Sequence, residues 1–403
     1  MPDSEENEKG GKVKILQLCN KSPWPAKEGG SMAMTAIRKG LACLGHEVHS
    51  LVVSTPKMTV NSDEIPESYL KDGPVESVFI DTRPKALPAF RDLVRNVSYQ
   101  ISRFHHPDYE ARLKELLQGK QWDAIILESV YMMPYFDLIR AHFNGPVILR
   151  AHNVEHVIWK RILENSRNPL KKRYLAILKN QLRKYELDAV SRVSFTACIS
   201  DVDAKYFLNE VPDARLITVP FAVENDKPDI KRHEYVYKFG HIGSMDWAPN
   251  LEGLRNFVKE IWPKVIKEIP NAQLHLAGRH FPENFPKSSG VIIHGEVEDA
   301  GEFLQSLDAL IVPLLSGSGV RIKIVEAMQH GVPVISTPVG AEGLDLVHRE
   351  HAYICETSRQ YIKAMKQLKE SRVQISENAL LRIEKRHSLE YATGLLINEI
   401  EKQ

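Results

Sequence analysis

Residues 308–344, DALIVPLLSGSGVRIKIVEAMQHGVPVISTPVGAEGL, constrain the fold of this chain more than any other stretch. An apolar run at 309–314 reads as a strand buried on both faces, and a second run at 332–337 reads the same way. Between them lie a glycine-rich turn, Ser316-Gly317-Ser318-Gly319, and a helix carrying Arg321, Lys323 and Glu326, which Gly331 ends. Two buried strands joined through a helix make a parallel βαβ unit and set the class as α/β. A glycine turn that opens a helix presents backbone N–H groups with partial positive charge, and two cations in the first turn strengthen the preference for an anion. Glu326, one turn further in, suits vicinal hydroxyls. Phosphate plus sugar hydroxyls means a nucleotide or a nucleotide sugar.

The same alternation runs through the rest of the chain. A strand at 13–18 is followed by a helix at 31–44, which Gly45 ends, and a strand at 48–53. Strands are expected at 75–80, 124–127, 147–149, 193–199 and 216–219, with helices at 88–104, 109–117, 154–163 and 170–190. The composition turns polar at 220–233, where the domain linker is placed. A second series begins with a strand at 236–242 and a helix at 251–265. Further strands are expected at 274–277, 291–294 and 352–355, and helices at 300–307, 359–369 and 376–402. The pattern is two Rossmann-like, doubly wound halves. Such sheets bind ligands at the carboxyl ends of their strands, so a site shared by the halves is expected in a cleft that they face.

Composition removes several function classes. The chain of 403 residues has 53 Lys plus Arg against 52 Asp plus Glu, which leaves no bulk charge for nucleic acid. The polar stretch 1–12 reads as a disordered tail without a signal peptide, and no apolar run is long enough to span a membrane. Cys19, Cys43, Cys198 and Cys355 are far apart and never in CxxC spacing, so they read as reduced core residues of a cytosolic protein. The histidines show no HExxH spacing and no metal site is expected. There is no GxSxG elbow and no Walker lysine, and residues 29–34 read GGSMAM rather than GxGxxG, which weighs against a dehydrogenase.

Three further constellations sit where such a fold presents chemistry. Gly29 and Gly30 follow the first strand and allow close backbone approach, or form a plain turn. The run 150–155, RAHNVE, follows the strand at 147–149. His152 there can donate to a sugar hydroxyl or a phosphate oxygen, while Asn153 and Glu155 can cap the next helix. The run 240–247, GHIGSMDW, follows the first strand of the second half, with Asn250 as a helix cap. Two stretches are basic with interleaved apolar residues. In 160–184, Leu175, Leu178, Leu182 and Tyr185 form a stripe that can lie on an anionic membrane face or dock on its own domain. Residues 83–104, with Leu87, Phe90, Val94, Val97, Tyr99 and Phe104, can line an acceptor groove or form an ordinary domain helix.

These residues together resemble the GT-B glycosyltransferases, and within them the family 4 group of retaining, nucleotide-sugar-dependent enzymes. The resemblance covers most of the chain: 25–30 with the helix after it, 45–48, 150–155, 198–201, 239–254 (FGHIGSMDWAPNLEGL), 276–278, 294–297 and 308–344. EAMQHGVPVISTPVGAEGL is the most specific of these. The resemblance implies an acceptor domain at 13–220, a donor domain at 221–375 and a terminal helix at 376–403 that crosses back to the first domain. It implies transfer from a nucleotide sugar, as substrate and without a cofactor or metal, to a glycan or lipid-linked acceptor. The main reading is surface polysaccharide synthesis in the cytoplasm, with contact to the inner membrane face peripheral at most.

Carried over residue by residue, His152 would sit by the transferred sugar, Gly29 and Gly30 by the diphosphate or sugar, Glu326 on the ribose hydroxyls, and Gly295 and Val297 by the base. Gly243 and Ser244 match the diphosphate loop. The sequence departs from the pattern at three places. Ser318 stands where the family often has a second glutamate, and Ser244 and Pro249 stand where it often has an arginine and a lysine. Arg321 and Lys323, beside Gly317 and Gly319, are therefore the expected diphosphate cations. Two other readings share the fold: a nucleotide-sugar 2-epimerase, and a non-catalytic sugar-nucleotide-binding subunit.

Overall fold

The computed structural model describes residues 11–26, 28–166, 168–224, 234–317 and 319–403. Most of the expected tail at 1–12, most of the expected linker at 220–233 and Ser318 therefore lie outside the described residues. The chain divides into two units, Met1–Val219 with Ala392–Gln403, and Pro220–Tyr391.

The first unit is built on a seven-stranded sheet: β1 (Lys14–Cys19), β2 (Glu47–Ser54), β3 (Val75–Phe79), β4 (Ala124–Glu128), β5 (Val147–Ala151), β6 (Phe195–Cys198) and β7 (Leu216–Thr218), in the order β3-β2-β1-β4-β5-β6-β7. Every pairing is parallel. The central strands are buried on both faces, which is why they read as continuous apolar runs. The second unit has a six-stranded parallel sheet: β8 (Lys238–Ile242), β9 (Gln273–Ala277), β10 (Val291–Gly295), β11 (Ala309–Val312), β12 (Val334–Ser336) and β13 (Tyr353–Ile354), in the order β10-β9-β8-β11-β12-β13. Each sheet reverses its winding once, between β1 and β4 in the first and between β8 and β11 in the second. Doubly wound sheets bind ligands at the carboxyl ends of the strands beside such a reversal.

Several local readings change. The helix expected at 88–104 is two helices, Ala86–Val94 and Tyr99–Ser102. Asn96 takes the left-handed region at φ 54°, and the Asn96 and Val97 amides close onto the Leu93 and Asp92 carbonyls at 3.2 and 2.8 Å, which ends the first helix. Gly331 ends the helix Ile322–Gln329 in the same way, as expected, with φ 67°. The helices expected at 359–369 and 376–402 divide elsewhere. One helix runs unbroken over Ser358–His387, because Leu368, Ile375, Ala379 and Ile383 keep one stripe buried through 370–375. The break comes at Ser388, whose hydroxyl receives the Tyr391 amide at 3.2 Å, and Leu389–Ile400 follows. The return to the first unit thus starts at Ala392 rather than 376. Arg215, just before β7, pairs with Glu399 of that segment.

The stripe of Leu175, Leu178 and Leu182 in the helix Pro169–Arg192 is buried, and Tyr185 packs on the same core, so this stripe docks on its own unit. Of the expected core cysteines, Cys43 is exposed, since its helix turns that position outward; the other three are buried.

Candidate functional site

In the first unit a buried polar network joins β1, β4 and β5 toward their carboxyl ends. The β4–β5 register places Glu128 opposite Arg150, so the last residues of two apolar strands form a cross-strand ion pair. Glu128 Oε1 accepts from Gln17 Nε2 at 2.7 Å, and Oε2 accepts from Arg150 Nη1 at 3.3 Å and from His152 Nε2 at 2.6 Å. Arg150 also donates to the Ala33 carbonyl at 2.9 Å, tying the network to the helix Gly29–Cys43. Burial pushes the Glu128 carboxyl up, but the Arg150 charge and the His152 and Gln17 hydrogen bonds outweigh it, so its pKa lies below the ordinary value. Burial also lowers the His152 pKa against the pull of Glu128. A neutral imidazole that donates from Nε2 to a carboxylate keeps Nδ1 as an acceptor. His152 is thus set to receive a hydroxyl proton, rather than to donate as its place in the sequence suggested.

That Nδ1 lies 3.7 Å from the point where a side chain on Gly30 would begin, and Lys21 Nζ lies 3.0 Å from it. Gly30 therefore leaves the space in which Lys21 and His152 converge. Gly29 and Gly30 form the first turn of their helix, not a loop before it. The next helix, Glu155–Asn165, is capped in an unexpected way. Neither Asn153 nor Glu155 caps it. Glu186 from the neighbouring helix accepts the Glu155 and His156 amides at 2.9 and 3.1 Å and bonds His156 Nδ1 at 2.5 Å. Burial first, and then the Glu186 charge, raise the Glu155 carboxyl to about 7. Tyr131 donates to it at 2.9 Å.

In the second unit a comparable polar set lies beside β8 and β11. His241 Nδ1 donates to the Ile311 carbonyl of β11 at 2.8 Å, which leaves Nε2 as acceptor for the Lys323 ammonium at 3.1 Å. Lys323 also donates to Asn250 Oδ1 at 2.9 Å, and Asn250 Nδ2 donates to the Ser244 carbonyl at 2.9 Å. This set is packed against Gly243, where a Cβ would lie 2.5 Å from Lys323 Nζ. Gly278 is packed still closer, since its Cβ would fall 1.9 Å from the Gly243 oxygen. Burial, with the Lys323 charge next, holds His241 neutral. Burial and then the Arg321 charge lower Lys323 from 10.5 to about 7. The residue is half-buried, but its ammonium is enclosed by these partners.

Arg321 is buried at the start of the same helix. It donates to the Gly319 carbonyl at 2.8 Å and its guanidinium lies 5.3 Å from the Trp247 ring centre, with Gly317 alongside. Glu326, half-buried one turn on, has its carboxyl raised by burial against the lowering charge of Lys323. Ser244 Oγ lies 3.2 Å from His280 Nδ1. Gly295 ends β10 and its carbonyl accepts the Gly278 amide at 2.6 Å, with half-buried Val297 two residues on. The fold thus gathers Gly243, Ser244, Gly317, Gly319, Arg321, Lys323 and Glu326 in the second unit, while Gly29, Gly30 and His152 belong to the first.

Four residues escaped the sequence reading of roles: Lys21, Glu128, His241 and Trp247. Asn250 is no cap, since Trp247 precedes the helix Ala248–Asn256 without a side-chain bond. The signal for Glu128 and His241 was a polar side chain at or near the end of an apolar strand. Among the described residues no group of three or more His, Cys, Asp or Glu is placed to hold a metal ion.

Residues 237–371 match the family model described as glycosyl transferases group 1. That match lies wholly within the second unit. Over 360 residues the chain is 25% identical to an uncharacterized 44.6 kDa protein in the cps region of Klebsiella pneumoniae, covering 85% of this chain and 87% of that one. Solved structures show the fold to be GT-B. Sucrose-phosphate synthase from Thermosynechococcus elongatus superposes with a TM-score of 0.69 at 13% identity, covering 97% of this chain and 98% of that one. Anabaena HepE in complex with UDP gives 0.64 at 14%, covering 97% and 100%. TarM of S. aureus, in complex with UDP and α-GlcNAc-glycerol among its ligands, gives 0.67 at 12%, covering 96% and 99%.

Proposed function

We propose that the chain is a retaining, metal-independent hexosyltransferase that moves a sugar from a nucleotide sugar to a glycan or lipid-linked acceptor. The observation that carries the reading is the Lys323 ammonium held by His241 and Asn250 against Gly243, at the winding reversal of the unit that contains the group 1 match. The donor diphosphate lies along Gly243, Ser244, Gly317 and Gly319, with Lys323 and Arg321 as its cations. Glu326 takes the ribose hydroxyls, and the base lies by Gly295 and Val297. UDP in HepE and TarM, and UDP-glucose in HepE, support a nucleotide-sugar donor. The cps-region relative supports a place in polysaccharide synthesis. We also place this work in the cytoplasm, with peripheral contact to an anionic membrane.

In this reaction the bond from the anomeric carbon to the diphosphate breaks as the acceptor oxygen bonds the same face of that carbon. The acceptor proton passes to the departing phosphate oxygen. Negative charge grows on the diphosphate in the transition state, so a preplaced ammonium beside it lowers the barrier more than it tightens ground-state binding. His152 Nδ1 accepts a hydroxyl of the transferred sugar and orients it. Same-face attack rests on the analogy with GT-B enzymes.

A thermal-shift panel of nucleotide sugars tests the donor. A ligand at 100 times its Kd stabilises the folded state by about 2.7 kcal/mol, so one base and one sugar stand out. Incubation with that donor and a lipid-linked or oligosaccharide acceptor should give a product that keeps the donor's anomeric configuration. An epimer formed from the donor alone would move the chain to the 2-epimerase reading. An inverted product would refute retention.

A further inference from the structure

The helix Ala86–Val94 is turned the wrong way round for an ordinary surface helix. Leu87, Phe90 and Val94 are 83%, 66% and 71% exposed, and Val97 just beyond is 44% exposed. Their spacing of three and four residues puts the first three on one helical face. The acid of this helix, Asp92, faces inward: it is 3% exposed and accepts from Ser102 Oγ and from Arg91 Nε. The orientation is fixed at both ends. The Lys85 amide donates to Tyr99 Oη at 2.7 Å, and Gln181 Nε2 of the helix Pro169–Arg192 donates to Asn96 Oδ1 at 3.4 Å. The apolar face is therefore built to be presented, and an exposed patch of this kind marks an interaction surface.

The charge around it selects the partner. The side chains of Arg83, Lys85 and Arg91 are 71%, 56% and 58% exposed, and Arg95 is exposed too. Asp81, at 24% side-chain exposure, pairs with Arg83 and Lys85, and Asp92, at 4%, pairs with Arg91, so four cations stand against two acids and the patch keeps a net positive charge. Large apolar side chains rimmed by cations match the boundary of an anionic bilayer, where acyl chains receive the former and phosphates the latter. A second copy of the chain is disfavoured, because a two-fold contact through this face would set these cations against themselves.

We propose that Ala86–Val94 is a membrane-docking helix that seats Leu87, Phe90 and Val94 in an anionic lipid surface. It rests on the reading above only for its purpose, bringing a lipid-linked acceptor to the enzyme; docking itself is measured without donor or acceptor. Flotation of the full chain with equimolar phosphatidylglycerol–phosphatidylcholine vesicles should carry it upward, and phosphatidylcholine vesicles should not. The triple substitution Leu87→Ser, Phe90→Ser, Val94→Ser should lower the bound fraction about tenfold or more, and Arg91→Gln with Arg95→Gln should lower it and weaken its salt dependence. Thermal melts and nucleotide-sugar shifts of the serine variant should match the parent, since the changed side chains are exposed. Failure of donor binding in both proteins would thus count against the transferase reading and leave docking standing. Docking is overturned if the parent floats with neither vesicle, if the serine variant floats as well as the parent, or if sedimentation velocity shows a vesicle-free dimer that the serine variant dissolves.

Discussion

The Lys323 amine gives the proposed diphosphate site a signature that can be read calorimetrically. Burial and Arg321 bring its pKa down to about 7. A diphosphate beside it favours the protonated form, so binding must draw a proton from solution wherever the free amine is neutral. With a pKa of about 7, roughly one-tenth of the free protein is neutral at pH 6, about half at pH 7 and about nine-tenths at pH 8. Proton uptake per bound donor should follow the same series. Affinity should fall about tenfold for each pH unit above 7, equivalent to about 1.4 kcal/mol per unit. Titration of the best binder from the nucleotide-sugar panel, in two buffers of different ionisation enthalpy, measures the uptake. Lys323→Met should bind weakly and show none. Affinity that stays constant from about pH 6 to 9 in the parent, with no uptake, would falsify the assignment. The same shift acts on folding with the opposite partner. Between about 7 and 10.5 the unfolded chain holds a proton that the folded chain has lost, so the Lys323 contribution makes stability rise with pH across that window.

Other substitutions probe the rest of the site. Glu128→Gln leaves Arg150 buried without its carboxylate and should cost about 3–5 kcal/mol, seen in calorimetry as a fall in the Tm of the first unit; a loss under about 1 kcal/mol would refute the pairing, and adding Arg150→Met should recover much of it. Gly278→Ala drives a methyl onto the Gly243 carbonyl and takes an alanine to φ 139°, so the second unit should lose about 1–3 kcal/mol or more and donor affinity should fall with it. In a thiol titration Cys43 should react at once, and Cys19, Cys198 and Cys355 only after denaturant, because burial both hides those thiols and raises their pKa values.

The sheets were legible because parallel strands covered on both faces leave unbroken apolar runs, and the stop at Gly331 was legible because only one backbone geometry fits it. What escaped depends on register and on which face a helix turns inward. Glu128 and Arg150 are 22 positions apart, and only the β4–β5 pairing sets them opposite one another. Asn250 reads as a cap until β8 and β11 bring His241 and Lys323 to its amide. The basic stretches at 83–104 and 160–184 look alike in sequence. Packing separates them, since one buries its leucine stripe and the other presents Leu87, Phe90 and Val94 to solvent.

The passage of residues 392–403 into the first unit bears on the order of synthesis. Domains made in sequence ordinarily fold in sequence, the first before the second. Here Ala392, Thr393 and Leu396 are wholly buried, and they are translated only after all of residues 220–391. A nascent first unit must therefore wait, with the seat of that helix uncovered, until the second has been made. A protein cut at residue 391 would keep every strand and every candidate site residue, yet leave that apolar seat open to chaperones and to other chains.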